Sequence, residues 1–147
     1  MGIEHGMWTH GHSISIEQPE ALQTVFYRGF MVELIGKPNF SAWVHYAVPT
    51  PVIASNNRLR ADAVMIRYRT GVEDKARLAA IHVYDGELKI ASFDDLQGAS
   101  QNWSISRTEI PNKPYVEWGI GISILVQFKP LANPLFQISS VGCDFLV

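Results

Sequence analysis

A chain of 147 residues is long enough for one domain with a substantial core and too short for two ordinary ones. With 47% hydrophobic and 18% charged residues, its composition excludes a disordered chain. A net charge of -2 without any basic run argues against binding to nucleic acid, and no apolar run approaches a membrane span.

Residues 1–12 read as a polar, His-rich N-terminal arm, expected to pack on the domain or on a neighbouring copy. This stretch lacks the basic and apolar regions of a signal peptide. Cys143 is the only cysteine, so no internal disulfide can form and a reducing, cytoplasmic setting is expected. Ser13 to Glu17 is short and β-branched, and Pro19 to Leu22 can make one helical turn with Pro at its first position. Val25 to Ile35 is an apolar run that reads as one strand and ends at the turn cluster Gly36–Lys37–Pro38–Asn39. Ser41 to Val48 alternates and stops at Pro49–Thr50–Pro51, with Trp43 and His45 on one face and Tyr46 on the other. Arg58 to Arg69 carries Val64, Ile66 and Tyr68 on one face.

The runs Leu78 to Tyr84 and Leu88 to Phe93 flank Asp85–Gly86, a pair suited to a type I′ hairpin turn. Trp103 to Ile110 reads as an outer strand closed by Pro111 and Pro114. The strongest segment is Tyr115 to Phe128, where Val116, Trp118, Ile120, Ile122, Ile124, Val126 and Phe128 occupy every second position and predict one long strand with a buried face. In the last strand, Phe136 to Val147, the apolar parity shifts, which predicts a bulge between Ser139 and Gly142. These elements predict one all-β domain over 1–147. It should be an antiparallel β-sandwich or jelly roll of roughly eight to ten strands with little helix.

Several blocks resemble a family of small bacterial β-sandwich proteins of unknown function. They are His5–Gly6–Met7–Trp8–Thr9–His10–Gly11, Ile35–Gly36–Lys37–Pro38, Val48–Pro49–Thr50–Pro51–Val52–Ile53, His82–Val83–Tyr84–Asp85–Gly86, Trp118–Gly119–Ile120–Gly121–Ile122–Ser123 and Gly142–Cys143–Asp144–Phe145. The resemblance implies one complete domain and a β-sandwich, and it implies no activity.

Two sets of residues are candidates for chemistry. His5, His10, His12 and Glu17 cluster in sequence, and on a strand His10 and His12 would share a face. Imidazole pairs of that kind hold divalent transition metals. The run Gly6–x3–His10–x–His12–x4–Glu17 is similar to the first cupin motif, although its glycine spacing is short and no second motif follows. The alternative is a polar arm whose imidazoles bond to backbone or solvent. The second set is Trp8, Trp43 and His45. A Trp beside a His can line a pocket for a carbohydrate or small molecule, whereas core packing would make Trp8 a plug at one end of the sandwich and His45 a bonded neighbour of Trp43.

Gly119 and Gly121 leave a bare trough on the far face of their strand, expected to be filled from within the chain. Asp85 reads as a turn residue. Asp144 calls for a partner such as Arg67 or Arg107, and Cys143 reads as buried and inert. No nucleophile elbow, phosphate loop or dinucleotide fingerprint is present. The leading expectation is therefore a non-enzymatic module that binds a ligand or assembles with copies of itself. The alternatives are a metal-dependent, cupin-like enzyme using the N-terminal histidines and a lectin-like carbohydrate binder using Trp43, Trp103 or Trp8.

Overall fold

The computed structural model describes residues 2–147 and is built almost wholly of strands. In chain order these are β1 (His5–His10), β2 (Ser15–Ile16), β3 (Leu22–Arg28), β4 (Met31–Gly36), β5 (Ser41–Val48), β6 (Ile53–Ala54), β7 (Asn57–Arg58), β8 (Arg60–Arg69), β9 (Ala76–Asp85), β10 (Leu88–Phe93), β11 (Ser104–Glu109), β12 (Ile120–Phe128) and β13 (Leu135–Leu146). Two single 3-10 turns, Gly11–Ser13 and Pro19–Ala21, interrupt them. The second is the expected Pro-initiated turn.

The strands form two antiparallel sheets that close on one core. One sheet has six strands, in the order β11-β8-β13-β4-β3 with β1 also on β13, and the other has five, in the order β10-β9-β12-β5-β2. The small hairpin β6-β7 stands apart. The alternation read from the sequence is what feeds the core: Val64, Ile66 and Tyr68 from β8 meet Ile120, Ile122, Ile124, Val126 and Phe128 from β12. Phe128, Phe136 and Phe145 are wholly buried, and each contributes on the order of 2–3 kcal/mol of apolar burial. Stacking of Tyr68 on Phe136, with ring centroids 5.3 Å apart, ties β8 to β13.

The predicted bulge lies in β13, where the register against β8 shifts between Ile138 and Ser140. It also divides the partners on the other side of β13: Leu135 to Ile138 pair with β4, and Ser140 to Phe145 pair with β1. The N-terminal segment is thus a sheet strand rather than an arm. β4 covers only the first part of β13, so the rest would expose an unpaired edge, and β1 satisfies it.

Three other expectations are corrected. The run Val25 to Ile35 is a hairpin of β3 and β4, with Arg28 paired to Met31 around a two-residue turn. An apolar run that lacks strict alternation does not mark where the chain reverses. The β9–β10 turn is Gly86–Glu87, one residue later than expected, since Leu88 pairs with Asp85. Gly86 has φ +59 and Glu87 does not have positive φ, the sign pattern of a type II′ turn. Finally, β12 starts at Ile120 instead of Tyr115, and Trp118 is 75% exposed while Val116 is buried. The cause is the carboxylate of Asp85, described below.

Candidate functional site

The outer face of the five-stranded sheet is patterned in rows. Antiparallel pairing sets His45 beside Ser123 and Ser123 beside His82, one row across β5, β12 and β9. In the neighbouring rows Trp43 pairs with Leu125, and Ala47, Gly121 and Tyr84 lie side by side. Trp43, His45, His82, Tyr84 and Ser123, with Glu17 and Lys89 at the sides, line an open hollow of about 260 Å³. A second hollow of about 330 Å³ shares His45, Tyr84 and Ser123 and continues over Gly121 to Gly86. Together they form one groove. The glycine trough is therefore not filled from within the chain: a Cβ built on Gly121 would meet no atom within 4 Å. Gly119 lies outside the strand, in a loop with φ +144.

Hydrogen bonds hold the polar side chains of the groove in place. His45 contacts Ser123 Oγ through Nδ1 at 2.7 Å and Glu17 Oε1 through Nε2 at 2.6 Å. Glu17 is fixed in turn by its backbone N–H, which donates to Trp43 O at 2.9 Å, and by Gln18 Nε2, which donates to its Oε2 at 2.7 Å. The bond from His45, then that from Gln18, lowers the Glu17 pKa below 4.5. His82 Nε2 contacts Asp94 Oδ1 at 2.8 Å, and the His82 ring lies tilted against Trp43 with centroids 4.8 Å apart. The half-buried Trp43 ring is thus wedged between a fixed histidine and the sheet, a rigid amphipathic surface.

One end of the groove depends on Asp85. This residue is 3% exposed, and its carboxylate accepts backbone N–H bonds from Glu117 at 2.8 Å, Trp118 at 2.8 Å and Gly119 at 3.1 Å. Three converging N–H groups make an anion nest, here filled from within the chain. The nest bends residues 117–119 away from the strand path and turns Trp118 outward, its Cβ side against Gly86 at the end of the groove. Asp85 is thus a holder of the loop rather than merely a turn residue. The role has no signature in the sequence, because the three N–H groups come from a segment more than thirty residues away. For His82, Tyr84 and Ser123 the only sequence signal is their shared parity along β9 and β12.

Of the four residues predicted as metal ligands, only His10 and His12 adjoin each other. His5 lies on the side of β1 that carries the core-packed Met7, and His10 lies on the opposite side with Trp8. The strand ends at His10, so His12 is carried on a 3-10 turn; its backbone N–H donates to His10 Nδ1 at 3.1 Å, and its ring contacts Arg28 O. The two rings are 4.2 Å apart, while Glu17 is engaged with His45 at the other sheet. Among the described residues no three His, Cys, Asp or Glu side chains converge on a point that could hold a metal.

Of the predicted ligand-binding residues, Trp43 and His45 belong to the groove and Trp8 does not. Trp8 is 41% exposed on the outside of the six-stranded sheet and lies flat over Gly142, so it does not plug the sandwich. Its position in β1 puts it outward because Met7 takes the inward face. Asp144 finds Arg107, whose Nη2 donates to its Oδ2 at 3.3 Å and to Asp62 Oδ2 at 3.0 Å. Cys143 is buried, and burial followed by the nearby Asp144 and Asp62 raises its pKa to about 12.

Comparison with known proteins adds the fold's relatives. No curated protein matches the sequence. Among solved structures, a low-affinity xylan-binding module, CBM86, from Roseburia intestinalis superposes with a TM-score of 0.60 at 12% identity, over 97% of this chain and 96% of that one. The C-terminal CBM6 of LamC from Zobellia galactanivorans gives 0.54 at 10% identity, over 95% of this chain and 99% of that one. A Stig cyclase from Fischerella sp. TAU gives 0.53 at 10% identity, over 95% and 88%. At such identities the likeness establishes the β-sandwich fold. At the level of sequence, a family model spans residues 3–145, so the chain belongs to the family of unknown function DUF6623.

Proposed function

We propose that this protein is a binding module that takes a carbohydrate chain in the groove across the outer face of its five-stranded sheet. The observation that carries this reading is the Trp43 platform, an aromatic ring fixed by His82 and bordered by the hydrogen-bonded His45, Ser123 and Glu17. A sugar ring presents an apolar C–H face and a rim of hydroxyl groups. Trp43 suits the first, and the mixed donors and acceptors around it suit the second. The open ends of the groove suit a chain rather than an enclosed small molecule. Its neighbouring carboxylates, Glu17 and Asp94, are each bonded to a histidine, which holds both rings in place along the groove. Two of the solved structures with this fold are themselves carbohydrate-binding modules, which supports the reading.

The test is titration with plant, bacterial and animal glycans, by array and then by calorimetry. Trp43→Ala should lower affinity about 10-fold, the loss expected for ~1.4 kcal/mol of aromatic contact. An array without signal, or a hit whose affinity is unchanged in Trp43→Ala, would count against the reading.

Self-assembly is the second reading. It is favoured by the edge strand β3, which leaves Phe26 and Tyr27 42% and 59% exposed, and by Phe30 at its turn, 57% exposed. Sedimentation of the protein at micromolar concentration tests it, and a monomer would remove it.

A further inference from the structure

The opposite sheet has an open hollow of about 370 Å³ at the β13 bulge, lined by His10, Phe30, Arg67, Trp103, Ser139 and Ser140. Its chemistry differs from that of the groove. Phe30 and Trp103 form an aromatic wall, edge to face with centroids 6.5 Å apart. Arg69 stands 4.6 Å from the Trp103 ring and donates to Gln137, which keeps that wall in place. The bulge adds an extra residue to β13, so the adjacent Ser139 and Ser140 both reach the hollow.

The charges on this face divide unevenly. Three acids of this sheet are engaged: Glu33 with Arg28 at 3.7 Å, Asp144 with Arg107 at 3.3 Å, and Asp62 with Arg107 at 3.0 Å and Lys113 at 2.9 Å. Among the described residues, Arg67 has no side-chain hydrogen bond or ion pair, and no carboxylate lines the hollow. Arg67 as a residue is partly buried while its guanidinium nitrogens stay within reach of solvent, so the fork is free to take an anion. The other polar groups are donors too. His10 accepts the His12 backbone N–H at Nδ1, so its neutral ring carries its proton on Nε2. Burial, and then the neighbouring His12, lower the pKa of His10 and favour that neutral form. The two serine hydroxyls complete a set of donors beside an aromatic wall.

We infer that this hollow binds a carboxylate borne on a ring, the carboxylate on the Arg67 fork and the ring against Trp103 and Phe30. Arginine's planar fork matches a carboxylate with two parallel hydrogen bonds, which a phosphate-free, neutral sugar cannot offer. A ring-borne carboxylate has two sources, an acidic sugar residue of a polysaccharide and a free aromatic acid. The site lies on the other sheet from the Trp43 groove, so it stands or falls independently of the function proposed above.

The experiment is a titration of 15N-labelled protein, read at the Trp103 indole N–H. The ligands are glucuronate and benzoate, with glucose and benzyl alcohol as uncharged counterparts. At least one carboxylate should move the Trp103 signal at millimolar concentration, more than its counterpart does, and added salt should weaken it. A response to glucuronate alone assigns the site to an acidic sugar, and a response to benzoate alone assigns it to an aromatic acid. Arg67→Gln should lower affinity at least ~10-fold, and Arg67→Lys, which keeps the charge but not the fork, should fall between. The lysine variant also decides the matter if the glutamine variant does not fold. Carboxylates that leave Trp103 unmoved, or that bind both variants as tightly as the native protein, overturn the inference. Shifts at Trp43 bear only on the groove.

Discussion

Replacing Asp85 tests how the Trp118 loop is held. Its carboxylate accepts three backbone N–H bonds, two at Oδ1 and one at Oδ2, from Trp118, Gly119 and Glu117. Bonds to a charged acceptor contribute about 1.5 kcal/mol each at the lower end of their range, so three sum to about 4.5 kcal/mol before any return from water. Water reaches the loop once the carboxylate is gone, because Trp118 is 75% exposed and Gly119 lies beside it, and this returns part of the loss. Asp85→Ala should therefore cost about 2–3 kcal/mol.

Asp85→Asn is the sharper variant. It keeps an acceptor for the Trp118 and Gly119 N–H groups and turns an amide donor toward the Glu117 N–H, so the cost should be about 1–2 kcal/mol. Urea unfolding followed by far-ultraviolet circular dichroism measures both. The native-state emission of Trp118, isolated by comparison with Trp118→Phe, should shift as the loop loosens. An asparagine variant within ~0.5 kcal/mol of the native protein would refute the idea that the nest holds the loop.

Three further outcomes are expected. Gly36→Ala should destabilise by about 1–3 kcal/mol or more in the same unfolding assay, because a Cβ there would lie 2.1 Å from the Phe128 ring and the core would have to move. Cys143 should resist thiol reagents in the native state and react only as fast as the chain unfolds, given its burial and a pKa of about 12. Glu17 should titrate below 4.5, so the stability from its contact with His45 is present above that pH and is lost as the pH falls through the lowered value. A carboxyl carbon titration by NMR reads this directly, and the midpoint should rise in His45→Ala; an unmoved midpoint would contradict the coupling.

Much of the framework is legible in the sequence. Period-two alternation placed Val64, Ile66 and Tyr68, and Ile120 to Phe128, on core faces, and the parity break in the last strand located its bulge. Trp43 and His45 could be put on one face by the same rule. What alternation cannot convey is which strand lies beside which. The row His45–Ser123–His82 joins residues from three strands far apart in the chain, and only the register of β5, β12 and β9 creates it. The same limit applies to the choice of Arg107 over Arg67 as the partner of Asp144, which follows from Arg107 lying near both Asp62 and Asp144.

The failures share a physical cause. Trp118 has the right parity for the core, yet three backbone N–H groups gain more from the Asp85 carboxylate than the strand could give them, and the ring turns outward. The N-terminal histidines are neighbours in sequence, yet β1 fills the open edge of β13 and the pleat sends His5 and His10 to opposite faces. Local pattern thus determined that the chain would be strands around an apolar core. Long-range pairing, which satisfies backbone groups before it arranges side chains, decided where the groove and the arginine hollow would be.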